Sequence, residues 1–195
     1  MGKKGDLTKR HIKEQAMTLF AEKGFKDVTM KDVCEAAGLS RGGLYLHYGS
    51  TGQIFADIID DLMNAQKDEF SEKIGQGASA KEILLQVLER YKNEMMDTKV
   101  ALSVAIYEFF SADDAKRDNA LLRQYLKSRS MWKQLLEYGI DRKEFNDVDV
   151  DAVFDLIVFS YQGVRMYGTL MAIDEQTPER IISLIKTILL KNAEV

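Results

Sequence analysis

The chain has 195 residues, 46% of them apolar and 30% charged, with one proline and one cysteine. That length supports a packed core, while the composition excludes a disulfide framework or thiolate zinc cluster and argues against a proline-punctuated β sandwich. The net charge of −4 divides unevenly: residues 1–55 carry nine Lys/Arg against six Asp/Glu, a net +3, and the remainder sums to −7.

In chain order, Ile12, Ala16, Leu19 and Phe20 form one stripe of an amphipathic helix that Gly24 ends. Thr29 opens a second helix, with Asp32 favouring its N-terminus and Val33, Ala36 and Ala37 as a small apolar face closed by Gly38. Ser40 caps a third, short helix through Leu44, Tyr45 and Tyr48. Ser50 and Gln53 form an S-x-x-Q capping box before Ile54, Phe55, Ile58, Ile59, Leu62 and Met63, and this fourth helix is expected to reach Phe70 or Ile74. Gly75 and Gly77 mark a boundary, followed by a second capping box at Ser79 and Glu82 and the apolar run Ile83, Leu84, Val87, Leu88 and Tyr91. Further helices are expected at about 98–111, 118–138, 150–171 and 178–191. The last has Thr177 as cap and Pro178 at its first position, where a missing N–H costs nothing.

Three short helices within 48 residues, the second and third joined by Gly38-Leu39-Ser40, make a helix-turn-helix. Glycine permits the tight turn, small residues let the helices approach, and a short polar helix fits the major groove. The fold class is therefore all-α: an N-terminal three-helix helix-turn-helix head over residues 1–53, with its recognition helix at about 40–48, and a C-terminal helical bundle body over 54–195. About nine helices are expected in total.

Ile12, Ala16, Leu19, Phe20 and Gly24, the run TMKDVCEAAGLSRGGLYLHYGS from Thr29 to Ser50, and Ile54, Phe55 and Ile58 resemble the TetR/AcrR family of bacterial transcriptional regulators. The resemblance is specific over the first third of the chain and elsewhere lies in architecture, with a weaker echo in LLEYGIDRKEF at Leu135 to Phe145. It implies a homodimer on a palindromic operator in double-stranded DNA, with a small-molecule pocket in each body. It places Ser40, Arg41, Gly42 and Gly43 at the start of the recognition helix, with Arg41 reading a base through its planar fork. Lys31 matches a DNA-reaching position, and Thr29, Tyr45, His47 and Tyr48 match phosphate-contacting or groove-lining positions, which fix register rather than sequence. Many relatives carry lysine and an acidic residue where this chain has Thr51 and Gly52. Ser50 remains as a cap, and the free N–H groups behind it can meet a phosphate. Binding is expected to be less salt-sensitive by about one counterion per subunit. Gly42 and Gly43 either let the backbone approach DNA or occupy a first turn where propensity matters little.

Each remaining feature has a plain reading beside the functional one. Cys34 reads as packing rather than a redox sensor. Met63, Tyr91, Met95, Tyr107, Phe110, Trp132, Phe159 and Met166 are candidates for an adaptable pocket, and for any single one of them ordinary core is the plainer reading. Ile157, Gly163, Ile181, Ile185 and Ile188 lie on the last two helices, the pair that makes the dimer interface in relatives, with intrachain core as the alternative. Two histidines cannot build a histidine-rich metal site, and no metal, cofactor or enzyme motif is present. The N-terminus has no apolar stretch behind its charges, Asp6 breaks the myristoylation pattern, and Val153 to Met171 is interrupted by Asp155, Gln162 and Arg165, so no membrane partner and a cytoplasmic location are expected. The expected function is a sequence-specific DNA-binding regulator, a repressor released by a small-molecule ligand, and the protein's acidic body weakly favours cationic ligands. The alternative is a helical small-molecule carrier or scaffold that no longer reads DNA.

Overall fold

The computed structural model describes residues 3–65, 68–96, 102–111 and 120–191. Among them are ten helices: α1 (Lys3–Lys23), α2 (Met30–Ala37), α3 (Arg41–Tyr45), α4 (Thr51–Ala65), α5 (Ser71–Gly75), α6 (Ala80–Met96), α7 (Ser103–Ser111), α8 (Ala120–Asp141), α9 (Val150–Leu170) and α10 (Thr177–Leu189). The count exceeds nine because the fourth helix does not run on to Phe70. Asp68 accepts from the N–H groups of Phe70 and Ser71, which starts the separate five-residue α5. Residues 98–101 and 118–119 of two expected helices lie outside the described residues.

Packing groups the chain into two compact units, Met1–Gln66 with Lys99–Ala120, and Lys67–Thr98 with Leu121–Val195. This packing division runs after residue 66 and places α4 with the first unit, whereas the division expected from sequence at residue 53 separates functions. Ile54, Phe55, Ile58 and Ile59 of α4 are buried with Ile12, Ala16 and Phe20 of α1, Val33 of α2 and Leu44 of α3. Ala105 of α7 joins this core, and the rings of Phe20, Phe25, Phe55 and Phe109 stand 4.8–5.8 Å apart. The second unit packs Leu84 and Leu88 of α6, Trp132, Leu135 and Leu136 of α8, Phe154 and Ile157 of α9, and Ile182 and Ile185 of α10. Burying each large side chain contributes about 1.5–3 kcal/mol before the entropy of ordering is subtracted.

The caps explain why the helices begin where they do. Thr29 accepts from the Asp32 N–H at 3.2 Å while the Asp32 carboxylate accepts from the Thr29 N–H at 2.8 Å, a complete capping box. At α4, Ser50 accepts from Gln53, but the Gln53 carbonyl reaches back to the Gly49 N–H rather than to that of Ser50. At α6, Ser79 accepts from Glu82, and the carboxylate completing the site is Glu144, which takes the Ser79 hydroxyl at 2.6 Å and the Lys81 N–H at 2.9 Å. Thr177 is not the cap of α10. It sits inside the first turn beside Pro178, and Asp174 accepts from the Gln176 N–H ahead of it.

Candidate nucleic-acid interface

Gly38 ends α2 in the left-handed region at φ 64°, where a side chain would be strained, and its N–H donates to the carbonyls of Cys34 and Glu35. Two residues later Ser40 caps α3, accepting from the Gly43 N–H at 3.1 Å. This turn is tied to α1 by His11, whose Nε2 donates to the Ala37 carbonyl at 3.2 Å, and by Lys23, which pairs with Asp32 at 3.3 Å. The Thr29 hydrogen bonds and Lys23 hold the Asp32 carboxyl at about 2, below its ordinary value. Cys34 is buried among apolar neighbours, in keeping with a packing role.

α3 divides by face. Leu44 is fully buried, whereas Arg41, Gly42, Tyr45 and Leu46 are exposed, Leu46 to 82%. A Cβ at Gly42 would meet nothing within 4 Å, whereas one at Gly43 would lie 3.3 Å from the Ser40 hydroxyl. No contact inside the protein demands glycine at 42, so a demand for it has to come from a surface that docks against α3. Lys31 is exposed on α2, 3.7 Å from Glu35. Ser50 is exposed at the start of α4.

Two expected contact residues have hydrogen-bond partners within the protein, Tyr48 buried and Thr29 exposed. Tyr48 is 3% exposed, and its hydroxyl donates to Asp57 at 3.0 Å while Lys9 lies 5.0 Å from its ring centroid. Burial and the Asp57 carboxylate both push this phenol up, so it stays protonated and pins the turn after α3 to α4. The Thr29 hydroxyl donates to the Asp32 carboxylate within the capping box. His47 is half-buried, its Nδ1 out of solvent and unpartnered among the described residues. Leu46 carried no expectation from sequence. Its neighbours Leu44 and Tyr48 turn inward at i and i+4, and that register is the signal that places 46 outside.

The eight pocket candidates divide between the two units. Met63 and Phe110 pack against the first unit's core and Tyr107 is 59% exposed there. In the second unit Met95 and Trp132 are buried, Tyr91 and Met166 are partly buried, and Phe159 is 63% exposed on α9. Among the dimer candidates, Ile157 and Ile185 are core residues at 1% and 2% exposure and cannot present a face. Gly163 meets open space, and Ile181 and Ile188 are partly buried. The outward stripe is instead Leu156, Phe159, Tyr167 and Leu170 of α9, with Leu184 of α10. A groove of about 520 Å³ on the second unit, lined by Ile74, Lys133, Gln134, Glu137 and Tyr138 among others, is open and presents both apolar and polar surface.

The family model described as bacterial regulatory proteins, tetR family, matches residues 12–58, and the model of the Tetracyclin repressor-like C-terminal domain matches 83–178. The HTH-type transcriptional regulator YfiR of Bacillus subtilis is 35% identical over 150 residues, covering 73% of this chain and 70% of the relative. The HTH-type transcriptional repressor KstR2 of Rhodococcus jostii is 29% identical over 160 residues, 78% of this chain and 74% of that protein. Among solved structures, a transcriptional regulator of Saccharomonospora viridis in complex with choline superposes with a TM-score of 0.79 at 15% identity, covering 96% of this chain and 100% of the other. The ketosteroid transcriptional regulator KstR2 of Mycobacterium tuberculosis superposes at 0.68 with 20% identity, covering 94% and 95%.

Proposed function

The chain belongs to the tetR family of bacterial regulatory proteins, which makes it a DNA-binding transcriptional regulator, and from that premise we propose a cytoplasmic homodimeric repressor released from a palindromic operator by a small molecule. The helix-turn-helix within residues 1–53 reads the DNA, and dimerisation and ligand binding fall to the helices beyond it. The observation that carries the reading is the divided face of α3, where Leu44 is sealed in the core while Arg41, Gly42, Tyr45 and Leu46 stand in solvent. Arg41 offers a fork matched to the two guanine acceptors, Gly42 lets the backbone come close, and Lys31 and Ser50 meet phosphates. The repressor and ligand parts draw support from KstR2 and from the choline-bound neighbour.

In a dimer the two recognition helices sit one DNA turn apart, about 34–36 Å. A ligand that favours another spacing weakens operator binding, and by linkage the operator weakens ligand binding by the same factor. The outward stripe on α9 and α10 is the face for the second copy, and no described helix is long and apolar enough to cross a membrane.

Selection from a random duplex pool by the refolded protein at physiological salt tests the reading. One enriched palindromic site is the expected result. Binding without sequence preference, abolished by moderate salt, overturns it in favour of a carrier or scaffold.

A further inference from the structure

Between α6 and α9 of the second unit a polar group lies at the edge of the apolar core. Tyr161 donates its hydroxyl to Glu94 Oε2 at 2.6 Å and receives a hydrogen bond from Arg165 Nη1, while the Arg165 guanidinium lies 5.2 Å from the Tyr161 ring centroid. Tyr91 stacks at 4.4 Å on Tyr161 and 6.0 Å from Trp132. Both carboxylates here are spent. Glu69 takes Arg90 through both oxygens at 2.5 and 2.9 Å, and Glu94 holds Tyr161 on one oxygen and Arg90 at 3.5 Å on the other. One donor is not spent: Arg165 Nε is out of solvent with no acceptor among the described residues. A buried charged donor without a partner is rare and costly, and such exceptions mark a place where another molecule completes the bonding.

We propose that Arg165 Nε is the recognition point for the regulator's ligand, and that the ligand is a ring-sized apolar molecule carrying a carbonyl or carboxylate oxygen rather than a cation. The aromatic rings alone would suit a quaternary ammonium. A quaternary ammonium makes no hydrogen bond, so it would leave Arg165 Nε unpaired and add a positive charge beside the Arg165 and Arg90 guanidinium groups. A ligand oxygen on Nε completes the guanidinium's set, and its apolar body lies along Tyr91, the partly exposed ring of the three, next to the buried Trp132 and Tyr161. The overall acidity of the body, which favoured cations from sequence, is therefore a poor guide to the sign of this site.

The inference rests on the reading of the chain as ligand-controlled, and it is tested without DNA. Trp132 is the only tryptophan in the chain, so its fluorescence reports on this site alone. Benzoate, benzamide and benzyltrimethylammonium share a ring and differ in the group it carries. The expected order is benzoate tightest, benzamide weaker, and no saturable response to the ammonium ion. Arg165→Met keeps an apolar stem and is expected to weaken benzoate by about tenfold or more, whereas Lys133→Met, in the open groove, leaves it unchanged. Tightest binding of the ammonium ion, equal benzoate binding by Arg165→Met with unchanged circular dichroism, or no response to any probe up to about 10 mM overturns the proposal. An operator selection that fails would count against the DNA reading and leave this titration standing. The reverse result would leave the DNA reading intact.

Discussion

Arg41 opens a helix of five residues and is exposed at the position closest to the Ser40 cap, so its removal takes away contact without taking away fold. Arg41→Ala is expected to weaken the selected operator by about 1–3 kcal/mol and to relax preference at one guanine, with the melting temperature unchanged. Equal losses on all sequences would instead make Arg41 a phosphate contact. Leu46 has a different chemistry to offer. An 82% exposed leucine at the end of α3 has the chemistry to meet the C5-methyl of thymine, the apolar group in the major groove. Replacing single operator thymines by deoxyuridine is expected to weaken the natural protein at one position per half-site and to leave Leu46→Ala indifferent. Operator binding that ignores every such replacement would remove Leu46 from the base-reading set. The Gly38 turn and the Ser40 cap were legible because their signals are local. The burial of Tyr48 was not, because its partners Asp57 and Lys9 belong to other helices.

At the scale of elements, the local caps of α2 and α4 could be read directly, since Thr29–Asp32 and Ser50–Gln53 are three residues apart. The cap of α6 could be read only by half. Its carboxylate, Glu144, comes from beyond α8, and no spacing rule connects residues so far apart in sequence. Burial works against ionisation of Glu144, but Arg142, the Ser79 hydroxyl and the Lys81 N–H outweigh it and hold its carboxyl at about 2 against an ordinary 4.5. Asp32 is likewise held at about 2 against 3.8. Both folded values are depressed, so the stability they contribute is fully present above the ordinary values and is lost as pH falls from about 4.5 toward 2. The melting temperature is expected to fall across that window. Asp32→Asn with Glu144→Gln should melt lower near neutral pH and lose less on acidification. A doubly substituted protein that tracks the natural one through the window would show that these caps do not set the acid transition.

For the whole molecule, the glycines at 75 and 77 suggested where one packing unit ends, yet the chain divides elsewhere and α7 returns to the first unit. The return is fixed by Glu108, which accepts from the N–H groups of Phe25 and Lys26 at 2.7 and 3.0 Å, and by Ala105 in the core. Contacts spanning some eighty residues leave no periodic trace in a single sequence. α9 posed a related problem, since it carries apolar residues on two faces and periodicity alone does not say which one meets its own core. The structure buries Val153, Phe154, Ile157, Tyr161 and Val164 and leaves Leu156, Phe159, Tyr167 and Leu170 exposed, as it does Leu184 of α10. Five large apolar side chains in solvent on two helices are costly for a monomer and useful to a dimer. Phe159→Glu with Leu184→Glu places charges on that face and removes nothing from the core. The natural protein is expected to scatter light as a dimer and the substituted one as a 22.2 kDa monomer with the same helical content. Operator affinity should then fall by about a hundredfold or more, because the second half-site is no longer bound at high effective concentration. A substituted protein that remains dimeric would move the interface to another face, and a natural protein that is already monomeric would remove the second recognition helix on which palindromic reading depends.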